Sequence, residues 1–409
     1  MSYLHLVSPH TQIYHLPAPL ELELGGILPQ VQVAYRTWGE LNRQGDNAVL
    51  VCHALTGTAD VDDWWAPLLG PGRSLDPSQD FIVCSNILGS CYGTTGPTSL
   101  NPETGRPYGA NFPAITVRDM VHVQAKLLGG LGIKSLRLVI GGSLGGMQVL
   151  EWGVQYPDRV ESLAVIAASG RHSPWCIGLS EAQRQAIYTD PRWQGGHYSP
   201  DDPPAQGLAV ARMIAMSTYR SWASFHQRFG RNLQSSNVSP VGQTHGSTPH
   251  PTTHPPIHPP PPTPHSPLPT PYAITHYLHR HGQKLVDRFD ANTYITLTHA
   301  MDSHEVGGDS GTDTRSESVP ERFANRPNAD PHQRYPSTLQ SIPHPALVVA
   351  IDSDILYPPA EQQELADLIP QAELVWLRSP HGHDAFLIDM DTLNCQVATF
   401  RQRRVLVNR

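Results

Sequence analysis

Leu136-Arg137-Leu138-Val139-Ile140 reads as a short buried strand. It runs straight into Gly141-Gly142-Ser143-Leu144-Gly145-Gly146, which opens a helical pattern extending through Trp152. No other stretch restricts the fold so tightly. A serine set between glycines at a strand-to-helix junction, Gly-x-Ser-x-Gly, marks a sharp turn that lifts the serine oxygen above the end of a sheet. Glycines two residues to either side let neighbouring backbone pass where a Cβ would clash. The free N–H groups and positive dipole end of the following helix face the same point, where they suit a developing oxyanion. On these residues alone, a Gly-rich turn with an incidental serine is the competing reading.

A nucleophilic serine needs a base, and the base needs a carboxylate to orient it. Both types occur downstream, each after an apolar run. Asp352-Ser353-Asp354-Ile355-Leu356-Tyr357 follows Ala346–Ile351, and Ser379-Pro380-His381-Gly382-His383-Asp384 follows Leu374–Leu377. Serine, then Asp, then His is the chain order of the α/β-hydrolase fold. Spacing leaves open which Asp and which His take the roles; a spare Asp would serve as a helix cap and His381 as a surface loop residue. Upstream, Cys52-His53-Ala54-Leu55-Thr56-Gly57 follows the apolar run that ends at Val51. A backbone N–H near Leu55, with that of Leu144, is the expected pair of oxyanion donors. An ordinary βα loop is the plainer alternative.

The rest of the chain fits around this frame. Val31–Tyr35 alternates like a strand, Phe81–Cys84 and Leu163–Ala168 are further apolar runs, and Val117–Leu128 repeats its apolar residues at helical spacing before Gly129-Gly130. Strands alternating with helices predict a mostly parallel sheet flanked by helices. Composition explains the remainder. Only 16% of residues are charged, while 40 are Pro and 33 Gly. Prolines and histidines concentrate between 240 and 271, where too few apolar residues exist to offset ordering entropy. That tract is expected to be a solvated, polyproline-rich insertion, a better reading than weak metal binding by His250, His254 and His258. A second polar stretch, about 307–341, reads as a linker. The expected organisation is therefore a core in two parts, 1–170 and 341–409, around a helical cap at 171–340 that carries the disordered insertion (about 236–272).

Several function classes drop out. A net charge of −8 argues against a nucleic-acid surface. No apolar stretch approaches a membrane span, and no signal peptide is visible at the N-terminus. Five cysteines without repeating spacing suit reduced thiols in a cytoplasmic protein better than disulfides or a zinc site.

With these residues in hand, the sequence closely resembles the homoserine O-acetyltransferase family of α/β-hydrolase-fold acyltransferases. The matching segments include His53–Gly57, Cys84–Pro97, Asn101–Gly109, Val117–Val121, Gly141–Gln148, Ala211–Ser221 and Phe289–Tyr294. The resemblance implies Ser143 as nucleophile, Asp354 as the orienting carboxylate and His383 as the base. It also implies Arg212 for the carboxylate of the amino-acid substrate and Asp384 for its amino group. The implied chemistry is transfer of an acetyl group from acetyl-CoA, a co-substrate and not a cofactor, to the hydroxyl of L-homoserine through an acetyl-serine. This step belongs to methionine biosynthesis, and the family is typically a homodimer. A succinyl-CoA-using or serine-accepting sister transferase, a serine esterase on the same fold and a non-catalytic binding protein are the alternatives.

Overall fold

The computed structural model describes residues 7–233, 272–308 and 331–407. The Pro/His-rich tract lies outside the described residues, apart from Tyr272, as do residues 309–330 of the polar stretch. Among the described residues there are ten strands: β1 (Gln12–His15), β2 (Leu20–Glu21), β3 (Ile27–Leu28), β4 (Gln32–Trp38), β5 (Ala48–Cys52), β6 (Phe81–Ser85), β7 (Leu136–Gly142), β8 (Leu163–Ile166), β9 (Ala346–Ile351) and β10 (Ala372–Leu377). Eight of them form one sheet in the order β1-β4-β6-β5-β7-β8-β9-β10. Pairing is antiparallel at β1–β4 and β4–β6 and parallel from β6 to β10.

Apolar runs without alternation become the parallel strands because both sheet faces are covered. Val49 and Val51 of β5 point into one core with Ile82, Leu138, Ile140 and Phe386; Leu50 and Cys52 point into the other with Val83, Val139 and Met147. Each such valine or leucine contributes about 1.5–3 kcal/mol by leaving water. β4 departs from its alternating pattern. Val33, Ala34, Tyr35 and Arg36 are all buried; Arg36 is drawn in by Asp60 and Asp62, with N···O distances of 2.7 and 2.5 Å.

Helices α1 (Val61–Trp64), α2 (Val117–Gly130) and α3 (Leu144–Gln155) belong to the first part of the sheet. α2 starts at a capping box, with the Thr116 side chain accepting from Asp119 N–H and the Asp119 carboxylate accepting from Thr116 N–H. Between β8 and β9 come α4 (Pro174–Tyr188), α5 (Ala205–Tyr219), α6 (Trp222–Phe229), α7 (Ala273–Val286), α8 (Ala291–Asp302) and α9 (Pro331–Gln340). α9 corrects the expectation of a linker continuing to residue 341. Tyr335 and Leu339 are buried on its inner face, and the Tyr335 hydroxyl donates to Glu364, so packing overrides a polar sequence that contains Pro336. α10 (Pro359–Leu368) and α11 (Met390–Val407) complete the chain. Among the described residues no helix is long and apolar enough to cross a membrane, and all five cysteines are free thiols.

Parallel strands all end at one edge, and the loops leaving that edge carry the candidate residues. His53–Gly57 follows β5, Ser143 follows β7, Asp354 follows β9 and His383 follows β10.

Candidate active site

Ser143 stands at the junction of β7 and α3 with φ 59° and ψ −127°, a strained left-handed conformation for a residue with a Cβ. Its N–H donates to Ile166 O of β8 at 3.0 Å, and its carbonyl accepts from Gly146 N–H at 2.8 Å. The turn is held from both sides. A Cβ on Gly141 would come within 2.6 Å of Gly145 backbone, and one on Gly145 would collide with the Cys52 carbonyl oxygen. The glycines of Gly-x-Ser-x-Gly are therefore a consequence of how closely the β5 end and the α3 start approach each other.

Two carboxylates and two histidines compete in the sequence, and geometry pairs one of each. His383 Nδ1 lies 2.7 Å from Asp354 Oδ2, both side chains buried. The other Asp354 oxygen accepts from Leu356 and Tyr357 N–H at 2.8 and 3.0 Å. With its Nδ1–H donating a hydrogen bond to Asp354, the ring is fixed in the tautomer that leaves Nε2 free to accept a proton. Burial pulls the His383 pKa down, but the Asp354 charge and hydrogen bond outweigh it and the net shift is upward. Asp352 instead accepts from Ser379 N–H at 3.0 Å and lies 3.5 Å from the exposed Arg378. His381 sits by Ser224, 3.4 Å from its hydroxyl. The Ser353 hydroxyl ties the loops together, donating to Ser379 O at 2.5 Å and accepting from Gly382 N–H at 2.9 Å.

Leu55 and Leu144, the expected oxyanion donors, are both buried. As the first helical residue of α3, Leu144 has an N–H with no partner inside the helix. Three residues that sequence reasoning missed fix this region. His53 donates from Nδ1 to Ala54 O at 2.8 Å and accepts at Nε2 from Ile87 N–H at 3.2 Å; burial lowers its pKa to about 4, so the ring is neutral. Gln148 Nε2 donates to His53 O and Leu144 O, both at 3.2 Å, joining the two halves. Arg288 holds Thr56 O at 2.8 Å and the Tyr92 hydroxyl at 2.6 Å. Gln148 follows Ser143 by little more than one helical turn, which is a readable signal; the Arg288 contact spans too much sequence to be read.

Arg212 projects from α5 with its guanidinium 5.2 Å from the Tyr219 ring, and that ring lies 5.7 Å from the His383 ring. Arg212 Nη1 is buried without a hydrogen-bond partner. A buried, unpartnered guanidinium nitrogen costs stability unless an anion arrives to meet it. Beside it, burial raises the Asp384 pKa, with Arg212, His383 and Arg220 opposing the rise. Arg220 Nη1 stands 3.8 Å from Asp384, a contact that motif reading did not anticipate. The arrangement offers a base, a positioned serine, backbone donors and one cation–anion pair. Among the described residues no group of three His, Cys, Asp or Glu side chains is placed to hold a metal.

Known proteins give this geometry a context. Residues 47–389 match the family model of the alpha/beta hydrolase fold. Homoserine O-acetyltransferase of Trichormus variabilis is 59% identical over 402 residues, covering 98% of this chain and 97% of that protein. Among solved structures, homoserine O-acetyltransferase from Bacillus anthracis superposes with a TM-score of 0.75 at 23% identity, covering 96% of this chain and 98% of that one. An acetylester hydrolase from Corynebacterium glutamicum does so with a TM-score of 0.74 at 22% identity, covering 96% of both chains. Transferase and esterase thus share the fold equally, so architecture alone does not discriminate between them.

Proposed function

The chain belongs to the homoserine O-acetyltransferase family of the α/β-hydrolase fold, and from that premise we propose that Ser143, His383 and Asp354 carry out acetyl transfer to L-homoserine from acetyl-CoA. It is an acyltransferase. His383 Nε2 takes the Ser143 proton as the oxygen attacks the thioester carbonyl. The tetrahedral oxyanion forms between the N–H groups of Leu55 and Leu144. His383 returns the proton to the departing sulfur, coenzyme A leaves, and an acetyl-serine remains. Homoserine then binds with its carboxylate on Arg212 and its ammonium on Asp384. Its hydroxyl loses a proton to His383 and attacks the acetyl ester. O-acetyl-L-homoserine departs as Ser143 regains its proton.

The buried Asp354–His383 pair, set on the loops beyond β9 and β10 at the sheet edge that carries Ser143, is the observation that supports this reading most. The unpartnered Arg212 nitrogen supports an amino-acid acceptor over water. A cytoplasmic role in methionine biosynthesis belongs to the same reading, as does a homodimer that would cover Trp222, 76% exposed, and Trp175, 53% exposed, on the helices between β8 and β9.

Thiol release followed with DTNB tests the reaction, using acetyl-CoA or succinyl-CoA, each with and without homoserine. Sustained release with acetyl-CoA only when homoserine is present is expected. Equal release without homoserine would make the protein a hydrolase. Intact-mass analysis should detect one acetyl group on the wild type and none on Ser143→Ala; an acetylated Ser143→Ala protein removes Ser143 as nucleophile.

A further inference from the structure

On a chain of net charge −8, one face of α6 and α7 is strongly basic. His276, Arg280, Lys284 and Arg288 recur at every fourth residue along α7 and just past its end, a spacing that sets them in one row. Arg228 of α6 joins them, its guanidinium 4.9 Å from the Tyr277 ring. Arg228, Arg280 and Lys284 are exposed and Arg288 is half-buried. Among the described residues none of these four cations has a carboxylate partner at ion-pair distance. Asp63 is the acidic group facing Arg288, and Asp287 is engaged by Gln283 at 2.8 Å.

The row begins at the chemistry. Arg288 grips the Thr56 carbonyl, next to the expected oxyanion donor Leu55. Lys284 and Arg280 stand one and two turns further out, about 6 and 12 Å along the helix axis. The field of the row also reaches the surroundings of Arg212 and Asp384. His281 is driven down to about 3 by burial and by the convergence of Arg212, Lys284, Arg228 and Arg280. Tyr277 lies within the influence of Arg220, Asp384, Arg228 and Arg212. Stabilising the C-terminal dipole of α7 accounts for Lys284. It does not account for Arg280, two turns from the C-terminus of α7, or for Arg228 on another helix.

Such a row suits a ligand that brings an acyl group to Ser143 while its own negative charge stays outside. We propose that Arg280, Lys284 and Arg228 form the phosphate subsite for the nucleotide part of the acyl thioester donor. In this subsite the exposed cations meet the pyrophosphate or the 3′-phosphate, and Arg288 marks where the uncharged arm enters. The inference rests on the acetyl-CoA reading above and deepens it. Lysine and arginine on a field-focusing surface would draw in a polyanion faster than a neutral donor, in a salt-dependent way.

Kinetics with three donors test it: acetyl-CoA, its 3′-dephospho form and S-acetylpantetheine, all with homoserine in excess. In the wild type, kcat/KM should fall stepwise as phosphates are removed, and only the phosphorylated donors should lose efficiency as salt is raised. A drop at the 3′-dephospho donor assigns the 3′-phosphate; a drop only at S-acetylpantetheine assigns the pyrophosphate. In the double variant Arg280→Ala/Lys284→Ala, preference for acetyl-CoA over S-acetylpantetheine should shrink by about tenfold or more, since one lost phosphate contact of about 1.4 kcal/mol is a factor of ten. Arg280→Glu should shrink it further, through KM and not kcat. Both sites are exposed, so the variants should keep the wild-type melting curve. An unchanged donor preference and salt slope in the double variant overturns the subsite. Absence of O-acetylhomoserine from every donor in the wild type would instead overturn the acetyl-transfer reading.

Discussion

Burial pulls the His383 pKa down, and the Asp354 carboxylate 2.7 Å away reverses that, so the net shift is upward. The sign sets a pH prediction. With His383 as the proposed base, catalysis needs neutral Nε2, so activity should be lost as pH falls through the His383 pKa, which lies above the ordinary value of 6.5. Asp354→Asn removes the raising influence and leaves burial, so the acidic limb of log kcat should move down. The same change should cost about 10⁴-fold in kcat, the scale of loss when a triad Asp becomes Asn. Asp352→Asn should leave both nearly untouched, because its bonds go to Ser379 and the exposed Arg378. The opposite ranking would exchange the two carboxylates. Spacing within the six-residue stretch 352–357 does not distinguish them; in the fold the Leu356 and Tyr357 N–H groups turn back onto Asp354, and Asp354 is the one beside His383. Arg212 gives a second test at this scale. Arg212→Lys replaces a two-pronged fork with a point charge. Thiol release should keep its initial burst, since acetylation of Ser143 involves no amino acid, while steady turnover slows and the homoserine KM rises. Equal loss in both phases, with a lower melting temperature, would make Arg212 a structural residue.

The elbow is where two elements meet, and its tolerance can be measured. Gly145 lies against the Cys52 carbonyl where β5 ends, so Gly145→Ala must push the α3 start away from the strand. Overpacking of this kind costs about 1–3 kcal/mol, readable in a urea melt. Because the Leu144 N–H travels with the helix start, kcat should fall more than homoserine KM rises. A variant with wild-type kcat would mean that the donor pair lies elsewhere. Elements of this sort were legible in advance. β5, β7 and β9 announce themselves as apolar runs, and α2 by its spacing and its Gly129-Gly130 end. β1 was not legible, because Gln12–His15 is mostly exposed and owes its strand form to pairing with β4. Nor was α9, whose polar, proline-containing sequence becomes helical through the burial of Tyr335 and Leu339. The Arg220–Asp384 contact stayed hidden for a similar reason, since it exists only where the end of α5 meets the loop after β10.

At the scale of the whole molecule, the question is what the 240–271 tract adds to a sheet and helices that already hold every candidate residue. The chain enters and leaves the tract at a single point. Leu233 and Tyr272 form an antiparallel bridge, Ala273 N–H donates to Asn232 O at 2.9 Å, and Arg231 donates to the Tyr272 hydroxyl at 3.0 Å. Deleting Pro240–Pro271 therefore leaves residues 234–239 to bridge ends that are already adjacent, with no helix required to move. Loop-closure entropy favours the change, since each halving of loop length saves about 0.6 kcal/mol. The deletion should leave kcat and both KM values within about twofold of wild type, and the melting temperature unchanged or slightly higher. α6 and α7 flank the junction and carry Arg228, Arg280 and Lys284, so donor KM is the most sensitive readout of any disturbance. A deletion variant with a wild-type melting curve and circular dichroism spectrum but a large loss of kcat would place part of the tract in the reaction itself. A selective rise in acetyl-CoA KM would place it beside the basic row instead.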